Sequence, residues 1–170
     1  MANWTVKTVA TNEVVSRGWP DAIVEFDKRN MRDIFAEAGI PFPEAKRRKG
    51  FEAEGVFFIA FSPDGHIAGY LELVHDWECA EDLYISSLQI APDHRNGILF
   101  RHLLAEGIHW LRQRSFRCLK THVQKNNRLG VDLYRRLGFT FSDNPKSDKS
   151  FVLTADHSIL EASFAKRLTR

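Results

Sequence analysis

Residues 82–124 constrain the fold of this chain more than any other segment. They predict a strand in "DLYISSLQIA" (82–91), an amphipathic helix over 98–114 and a second strand in "CLKTHVQ" (118–124). A strand, a helix and a strand in direct succession form a parallel pair joined by a right-handed crossover. We therefore expect the sheet of this protein to contain a parallel pair.

The segment before this unit predicts antiparallel pairing instead. "VFFIAFS" (56–62) and "HIAGYLELVHDW" (66–77) flank Pro63-Asp64-Gly65, and an Asp-Gly pair between two β runs is a strong hairpin signal. The strand at 82–91 follows the hairpin directly. An antiparallel meander that continues into a parallel pair gives a mixed sheet with helices on its faces.

The other segments complete a single α/β domain over 1–170, with a core at about 4–156 and a helical extension at about 157–170. Further predicted elements are a strand at 4–10, helices within 11–39, a helix at 127–138, strands in "FTFSD" and "SFVLTA", and a closing helix in "SILEASFAKRL". The stretch "IPFPEAKRRKGFEAEG" (40–55) is predicted to be a loop whose basic run is solvated. The acidic "HDWECAED" (75–82) is predicted to be a solvated hairpin loop.

Composition excludes several classes of partner. A net charge of +2 is too small to indicate nucleic acid. No apolar run approaches the ~18 residues of a membrane span, and the N-terminus lacks the apolar stretch of a signal peptide. Cys79 and Cys118 are isolated and predict buried free thiols in a reducing cytoplasm. No His, Cys and Asp set has the spacing of metal ligands, so no metal is expected.

Two motifs carry a resemblance to a known family. "IAPDHRNGILFRHLL" places a proline and Arg95 between an apolar strand and an amphipathic helix. "NNRLGVDLYRRLGF" (126–139) follows after one helix and one strand, with Asn127, Tyr134 and Phe139 in register and Gly130 where alanine is usual. Both motifs and their spacing resemble the GNAT superfamily of acyl-CoA-dependent N-acetyltransferases.

The resemblance implies a fold and a cofactor site. The fold is a GNAT-like mixed, mostly antiparallel sheet with a parallel pair splayed at its centre and helices on both faces. Acetyl-CoA is the implied co-substrate, with its pyrophosphate on the amides of the strand-to-helix turn and its pantetheine arm along the preceding strand. The implied cofactor-binding residues are Leu88, Gln89, Ile90, Arg95, Asn96, Gly97, Ile98, Leu99, Phe100 and Asn127.

The turn departs from the family pattern. Aligned on Leu103-Leu104, the two glycine positions hold Ile98 and Phe100; aligned on Gly97, Leu99 fills the second of them. Phe100 belongs to the apolar stripe of the helix, so we expect its ring to point into the core and leave the amides accessible. A plain strand-to-helix connection is the alternative.

Two catalytic functions are expected. Tyr134 is, by resemblance, the acid that protonates the departing thiolate. The base that takes a proton from the amine is open: Glu72 is the first candidate and His122 the second. Both belong to a set of polar residues on the strands beside the splay, which also includes His75, Ser86 and Ser87.

The sequence therefore predicts a cytoplasmic acetyltransferase acting on a primary amine of a small molecule or a protein. Residues 17–50 and 142–150 are expected to form the acceptor pocket, and a homodimer is left open. The alternatives are a non-catalytic GNAT-like module that binds an acyl-CoA, another ligand or a protein partner, and a GNAT-fold enzyme using another acyl carrier.

Overall fold

The computed structural model describes residues 4–95, 97–156 and 158–159. Its strands are β1 (Thr5–Ala10), β2 (Gly55–Phe61), β3 (Ile67–His75), β4 (Leu83–Ile90), β5 (Cys118–Gln124), β6 (Thr140–Asn144) and β7 (Ser147–Asp156). Its α-helices are α1 (Thr11–Ser16), α2 (Pro20–Glu37), α3 (Glu44–Lys49), α4 (Ile98–Arg112) and α5 (Arg128–Arg136). Short 3-10 turns cover Gly50–Glu52 and Pro92–His94.

The described strands form one mixed sheet in the order β1-β2-β3-β4-β5-β7-β6. Neighbours pair antiparallel except β4 and β5, which run parallel and pair only at Leu83 with Leu119 and at Tyr84 with Lys120. Beyond Tyr84 the two strands separate and leave an opening, the β4–β5 gap. The prediction of a mostly antiparallel sheet with a splayed parallel pair is confirmed.

Helices cover both faces of the sheet, as expected. One face packs against α4 and α5 around residues such as Phe58 and Leu103, and the other packs against α1 and α2 around Phe57 and Ile23. Helix α4 lies so close to β3 that a Cβ on Gly107 would stand 2.5 Å from Cδ2 of Leu71. This contact fixes α4, and therefore the turn before it, against the centre of the sheet.

A cluster of charges holds β4 and β5 together where they pair. Arg117 donates from Nε and Nη2 to the two carboxylate oxygens of Asp82, at 2.9 and 2.8 Å. Lys120 Nζ lies 2.7 Å from Oδ2 of both Asp76 and Asp82. The two cations hold the pKa of Asp82 below its usual range, Arg117 contributing most. This cluster, the closed end of the gap, fixes the point at which the strands begin to separate.

Two sequence predictions were wrong. Residues predicted as a solvated loop form α3, because Arg47 turns inward to buried carboxylates. The acidic segment 75–82 is not simply solvated either, since Asp76 and Asp82 are both buried in ion pairs. In each case a charged residue has a buried partner distant in sequence.

Other predictions are met in part. His102 and His109 are exposed on α4. Cys79 and Cys118 are free, but half-buried rather than buried. Within the described ranges no helix has the length and apolar character needed to cross a bilayer. The predicted C-terminal helix lies outside the described residues apart from Ser158 and Ile159.

Candidate active site

The β4–β5 gap opens into a cleft of about 980 Å³. Its walls include Met31 and Phe35 from α2 and Lys46 from α3, together with residues 142–147 of β6 and the turn to β7. Both segments expected to form an acceptor pocket therefore contribute to this cleft.

A bulge in β4 shapes the wall of the cleft. In the pairing with β3, Glu72 lies opposite Ser87 and Leu73 lies opposite Ile85, so Ser86 is an extra residue without a partner. A bulge bends its strand and re-aims the neighbouring side chains. Ser86 and Ser87 both line the cleft as a result.

Tyr134 lies on the inner side of α5 and reaches the cleft. The residue is buried and lines the cleft wall. Its ring packs edge-on against that of Phe139, with the ring centroids 5.1 Å apart. Burial raises the pKa of its phenol to about 12, against a smaller opposing effect of the Thr121 hydroxyl. The phenol is therefore protonated at neutral pH and can supply a proton.

His122 lies on β5 and lines the same cleft. Its Nδ1 is 2.7 Å from Oη of Tyr84, and the ring of Tyr84 packs between His122 and the 65% exposed Trp77. Burial, and then the charge of Lys46, lower the pKa of the His122 imidazole. At neutral pH the ring is uncharged and can accept a proton.

Glu72 is placed differently from the other two catalytic candidates. Its side chain is 0% exposed and does not line the cleft. Nη2 of Arg47 lies 2.9 Å from its Oε2, but neither carboxylate oxygen has a well-angled hydrogen bond among the described residues. Burial raises the pKa of Glu72, with Arg47 opposing it.

Glu72 belongs to a buried network that also contains Asp27, Arg47, Tyr70 and Ser87. Arg47 donates from Nε to Oδ2 of Asp27 at 2.7 Å and from Nη2 to Oη of Tyr70 at 3.2 Å. The Tyr70 hydroxyl donates to Asp27 and lies 2.9 Å from Oγ of Ser87. Burial raises the pKa of Asp27, again with Arg47 opposing it. The network joins α2, α3, β3 and β4 behind the cleft.

The turn before α4 holds one glycine, Gly97, and the two larger residues Ile98 and Phe100 follow at the start of the helix. Gly97 has φ +81°, and apart from its chain neighbours no heavy atom of the described residues lies within 4 Å of the position a Cβ would take. Leu99 is fully buried and Phe100 packs partly buried against the core, whereas Ile98 is 45% exposed. Phe100 thus points inward, as its place on the apolar stripe indicates.

The remaining cofactor candidates fall in three places. Leu88, Gln89 and Asn127 line the cleft. The carbonyl of Ile90 accepts a hydrogen bond from Nε of Arg95 at 3.0 Å, which ties the turn to the end of β4. The described turn residues lie beyond the cleft lining, and Asn96 lies outside the described residues.

Asn127 has a structural role in addition to its place in the cleft. Its Oδ1 accepts the backbone N–H of Gly130 at 3.0 Å and so caps α5. A Cβ on Gly130 would stand 2.8 Å from Nδ2 of Asn127. Glycine at this position therefore makes room for the cap of the helix that carries Tyr134.

Three residues of the cleft, Tyr84, Trp77 and Lys46, were not singled out as functional side chains from the sequence. Tyr84 is the last residue of β4 that pairs with β5. Trp77 is in a segment predicted to be a solvated loop. Lys46 is in a run whose charges all appeared solvated. The sequence did contain a signal for Tyr84 and His122, because both side chains can exchange protons and their two strands were predicted to be parallel neighbours.

A family model described as the acetyltransferase (GNAT) family matches residues 20–139. Two characterised relatives are similar to part of the chain. A streptothricin acetyltransferase from Streptomyces lavendulae is 30% identical over 94 residues, 55% of this chain and 49% of that protein. A mycothiol acetyltransferase from Thermobifida fusca is 34% identical over 97 residues, 52% of this chain and 29% of that protein. The matches thus span half or less of the relatives' own lengths.

Solved structures share the fold across nearly the whole chain. The PaiA N-acetyltransferase of Thermoplasma acidophilum, solved in complex with coenzyme A, superposes with a TM-score of 0.67 at 16% identity. The superposition covers 91% of this chain and 99% of that one. At this identity the likeness concerns the fold.

Proposed function

Because this chain belongs to the acetyltransferase (GNAT) family, we propose that it transfers the acetyl group of acetyl-CoA to a primary amine by direct attack of the amine nitrogen. One observation carries the proposal: the β4–β5 gap opens into a cleft that has a protonated phenol, Tyr134, and a neutral imidazole, His122, in its walls. Acetyl transfer to an amine needs one group that gives a proton and one that takes a proton.

The residues before α4 fit the pyrophosphate of coenzyme A. The first-turn amides of a helix have no partner within the helix, and its dipole favours an anion there. Leu99 and Phe100 pack inward, and apart from its chain neighbours no described heavy atom lies within 4 Å of the Cβ position of Gly97. We assign the turn from Arg95 to Phe100 to the pyrophosphate, and Leu88, Gln89, Ile90 and Asn127 to the pantetheine arm.

Each protein group then has a defined task. Bound acetyl-CoA supplies an activated thioester. The amides of β4 that face the gap hold the pantetheine arm and stabilise the oxyanion that develops on the acetyl carbonyl. Tyr134 gives its phenolic proton to the departing sulfur, which would otherwise leave as a thiolate.

For the base, the cleft favours His122 over Glu72. His122 is neutral and lines the cleft, whereas Glu72 is enclosed and paired with Arg47. We assign to His122 the role of the base that finally receives the proton lost by the amine. Glu72 then acts indirectly, because it anchors Arg47 and α3 beside the acceptor side of the cleft.

Calorimetry and a coupled assay test this proposal. Acetyl-CoA and free coenzyme A are titrated into the protein, and thiol release is followed with a panel of primary amines. The panel includes streptothricin because one relative is named for it, and peptides with free N-termini. Micromolar binding together with amine-dependent thiol release supports the proposal. Binding without release favours a non-catalytic module, and absence of binding favours another acyl carrier.

The turn gives a further prediction. Phe100→Gly removes a ring that packs against the core and places glycine in a helix, so we expect a loss of ~3 kcal/mol in unfolding free energy. Coenzyme A affinity should not improve, since the ring points away from the amides. The wild-type protein should bind coenzyme A more tightly than pantetheine, which lacks the pyrophosphate.

Ile98→Ala is the matched control, because it changes the exposed neighbour in the same turn. It should leave stability within about 0.5 kcal/mol of wild type. Tighter coenzyme A binding by Phe100→Gly, or equal wild-type affinity for pantetheine and coenzyme A, would show that the turn does not hold the pyrophosphate in this way.

A further inference from the structure

We propose that Tyr84 is the direct acceptor of the amine proton and that it passes its own phenolic proton to Nδ1 of His122, which returns a proton to solvent. This relay rests on the proposed acetyl transfer and specifies how the amine loses its proton. It assigns a catalytic function to a residue that the family motifs do not include.

The position of Tyr84 suits this function. It is the last β4 residue paired with β5, opposite Lys120, so its backbone is fixed where the gap begins. Its ring lies 5.0 Å from Trp77 and 5.6 Å from His122, centroid to centroid, and its Oη is 2.7 Å from Nδ1 of His122. The phenol is therefore held in one orientation within the cleft wall.

The direction of the hydrogen bond follows from the ionisation of the two groups. Burial and the nearby Tyr134 phenol raise the pKa of Tyr84, so its hydroxyl stays protonated. His122 stays neutral because burial lowers its pKa. Between a neutral phenol and a neutral imidazole, the stronger donor is the phenol, so Tyr84 donates to the lone pair of Nδ1 and the imidazole proton resides on Nε2.

This tautomer excludes direct proton uptake by Nε2 and directs the proton through Tyr84. Besides Nδ1 of His122, the backbone N–H of His122 faces Oη of Tyr84. A hydroxyl oxygen has two lone pairs, so one remains for a donor in the cleft. As the amine N–H bond breaks, an O–H bond forms at Tyr84. The original O–H bond breaks at the same time and an N–H bond forms at Nδ1.

The charges around His122 favour the final release. The imidazolium faces Lys46 from α3, Glu78 and Asp76 from the β3–β4 connection, and Lys146 from the β6–β7 turn. Glu78 and Lys146 pair at 2.8 Å, and Asp76 pairs with Lys120. Within each pair the opposite charges offset each other. The positive charge of Lys46 is then the main remaining charge near the ring, and it disfavours the imidazolium. The ring is only partly buried, so it gives its Nε2 proton to water, and exchange with water restores the starting tautomer.

Nitrogen-15 NMR of the free protein tests the hydrogen bond independently of turnover. Chemical shifts of His122 should show a protonated Nε2 and an acceptor Nδ1 in the neutral ring. Tyr84→Phe should raise the imidazole pKa toward its ordinary value, because the donor that stabilised the neutral form is lost. A protonated Nδ1 in the wild type would overturn the relay.

A double-mutant cycle tests the relay in catalysis. Tyr84→Phe and His122→Asn should each lower kcat by about 10–100-fold with little change in KM. The double variant should be no slower than the worse single variant, because the two residues act as one unit. His109→Asn, on the exposed face of α4, is the matched control and should retain wild-type turnover.

The outcomes separate the two proposals. The relay is overturned if the wild type is active and Tyr84→Phe has an undiminished kcat. It is also overturned if the two single variants lose activation free energy additively. Either outcome leaves the proposed acetyl transfer intact. A wild type without acetyl transfer to any amine overturns the proposed function and the relay with it, even where the NMR hydrogen bond is present.

Discussion

Tyr134→Phe is expected to lower kcat by about 10–100-fold and to leave the affinity for acetyl-CoA unchanged. The variant keeps the ring that packs against Phe139 and loses only the hydroxyl. Since only the departing sulfur needs that proton, ground-state binding is not affected. Steady-state kinetics gives kcat, and calorimetry with acetyl-CoA gives the affinity.

The pH profile sharpens this test. A phenol with a pKa of about 12 keeps its proton below that pH and loses it only above that pH. Between pH 7 and 9 the wild-type rate should therefore show no fall due to Tyr134, and the deficit of the variant should be constant. Undiminished turnover of Tyr134→Phe across this range would remove the residue from the mechanism.

Arg47→Met is expected to destabilise the protein by about 3–5 kcal/mol at pH 7. The arginine is 11% exposed and pairs with both Asp27 and Glu72, which are enclosed on the α2 and α3 side of the sheet. Methionine fills similar space but leaves two buried carboxyl groups without a cation. Urea unfolding at pH 7 measures the loss.

The loss should shrink at lower pH. Burial raises the pKa of both carboxyl groups in the folded protein, and removal of Arg47 raises it further. The folded state then binds more protons than the unfolded state from about pH 4 upward, so stability falls as pH rises. At pH 5 the groups are more fully protonated and the penalty is smaller.

Arg48→Met is the control for the same helix. Arg48 is 44% exposed and pairs with Asp21 and Glu44 at the surface, so its loss should cost no more than about 1 kcal/mol. An Arg47→Met variant as stable as this control, or one whose deficit does not change with pH, would mean that the buried carboxyl groups do not depend on Arg47.

Local patterns were sufficient to predict most of the sheet. The strand at 118–124 and the hairpin around Asp64-Gly65 follow from alternation and turn chemistry, which depend on neighbours in sequence. The predicted helix at 98–114 ends two residues later than the observed α4. The prediction was accurate because the apolar stripe of this helix packs on one face.

The parts that sequence reasoning missed depend on contacts distant in the chain. Arg47 lies 20 residues from Asp27 and faces it only after α2 and α3 fold onto the sheet. Tyr84 and His122 are 38 residues apart and meet because their strands are neighbours. Charge and polarity along the sequence could not distinguish these side chains from solvated ones. The roles of Tyr134, His122 and the turn remain predictions for the experiments above.

The way β4 and β5 pair has a consequence for hydrogen exchange. Their ladder stops after two residue pairs, so the amides of β4 that point toward β5 beyond Tyr84 have no strand partner on that side. In the free protein these amides should exchange quickly with deuterium, although they lie at the centre of the sheet. A ligand whose own carbonyls complete the ladder would slow that exchange. Its binding would then be visible as protection confined to one strand, whatever the acetyl acceptor is.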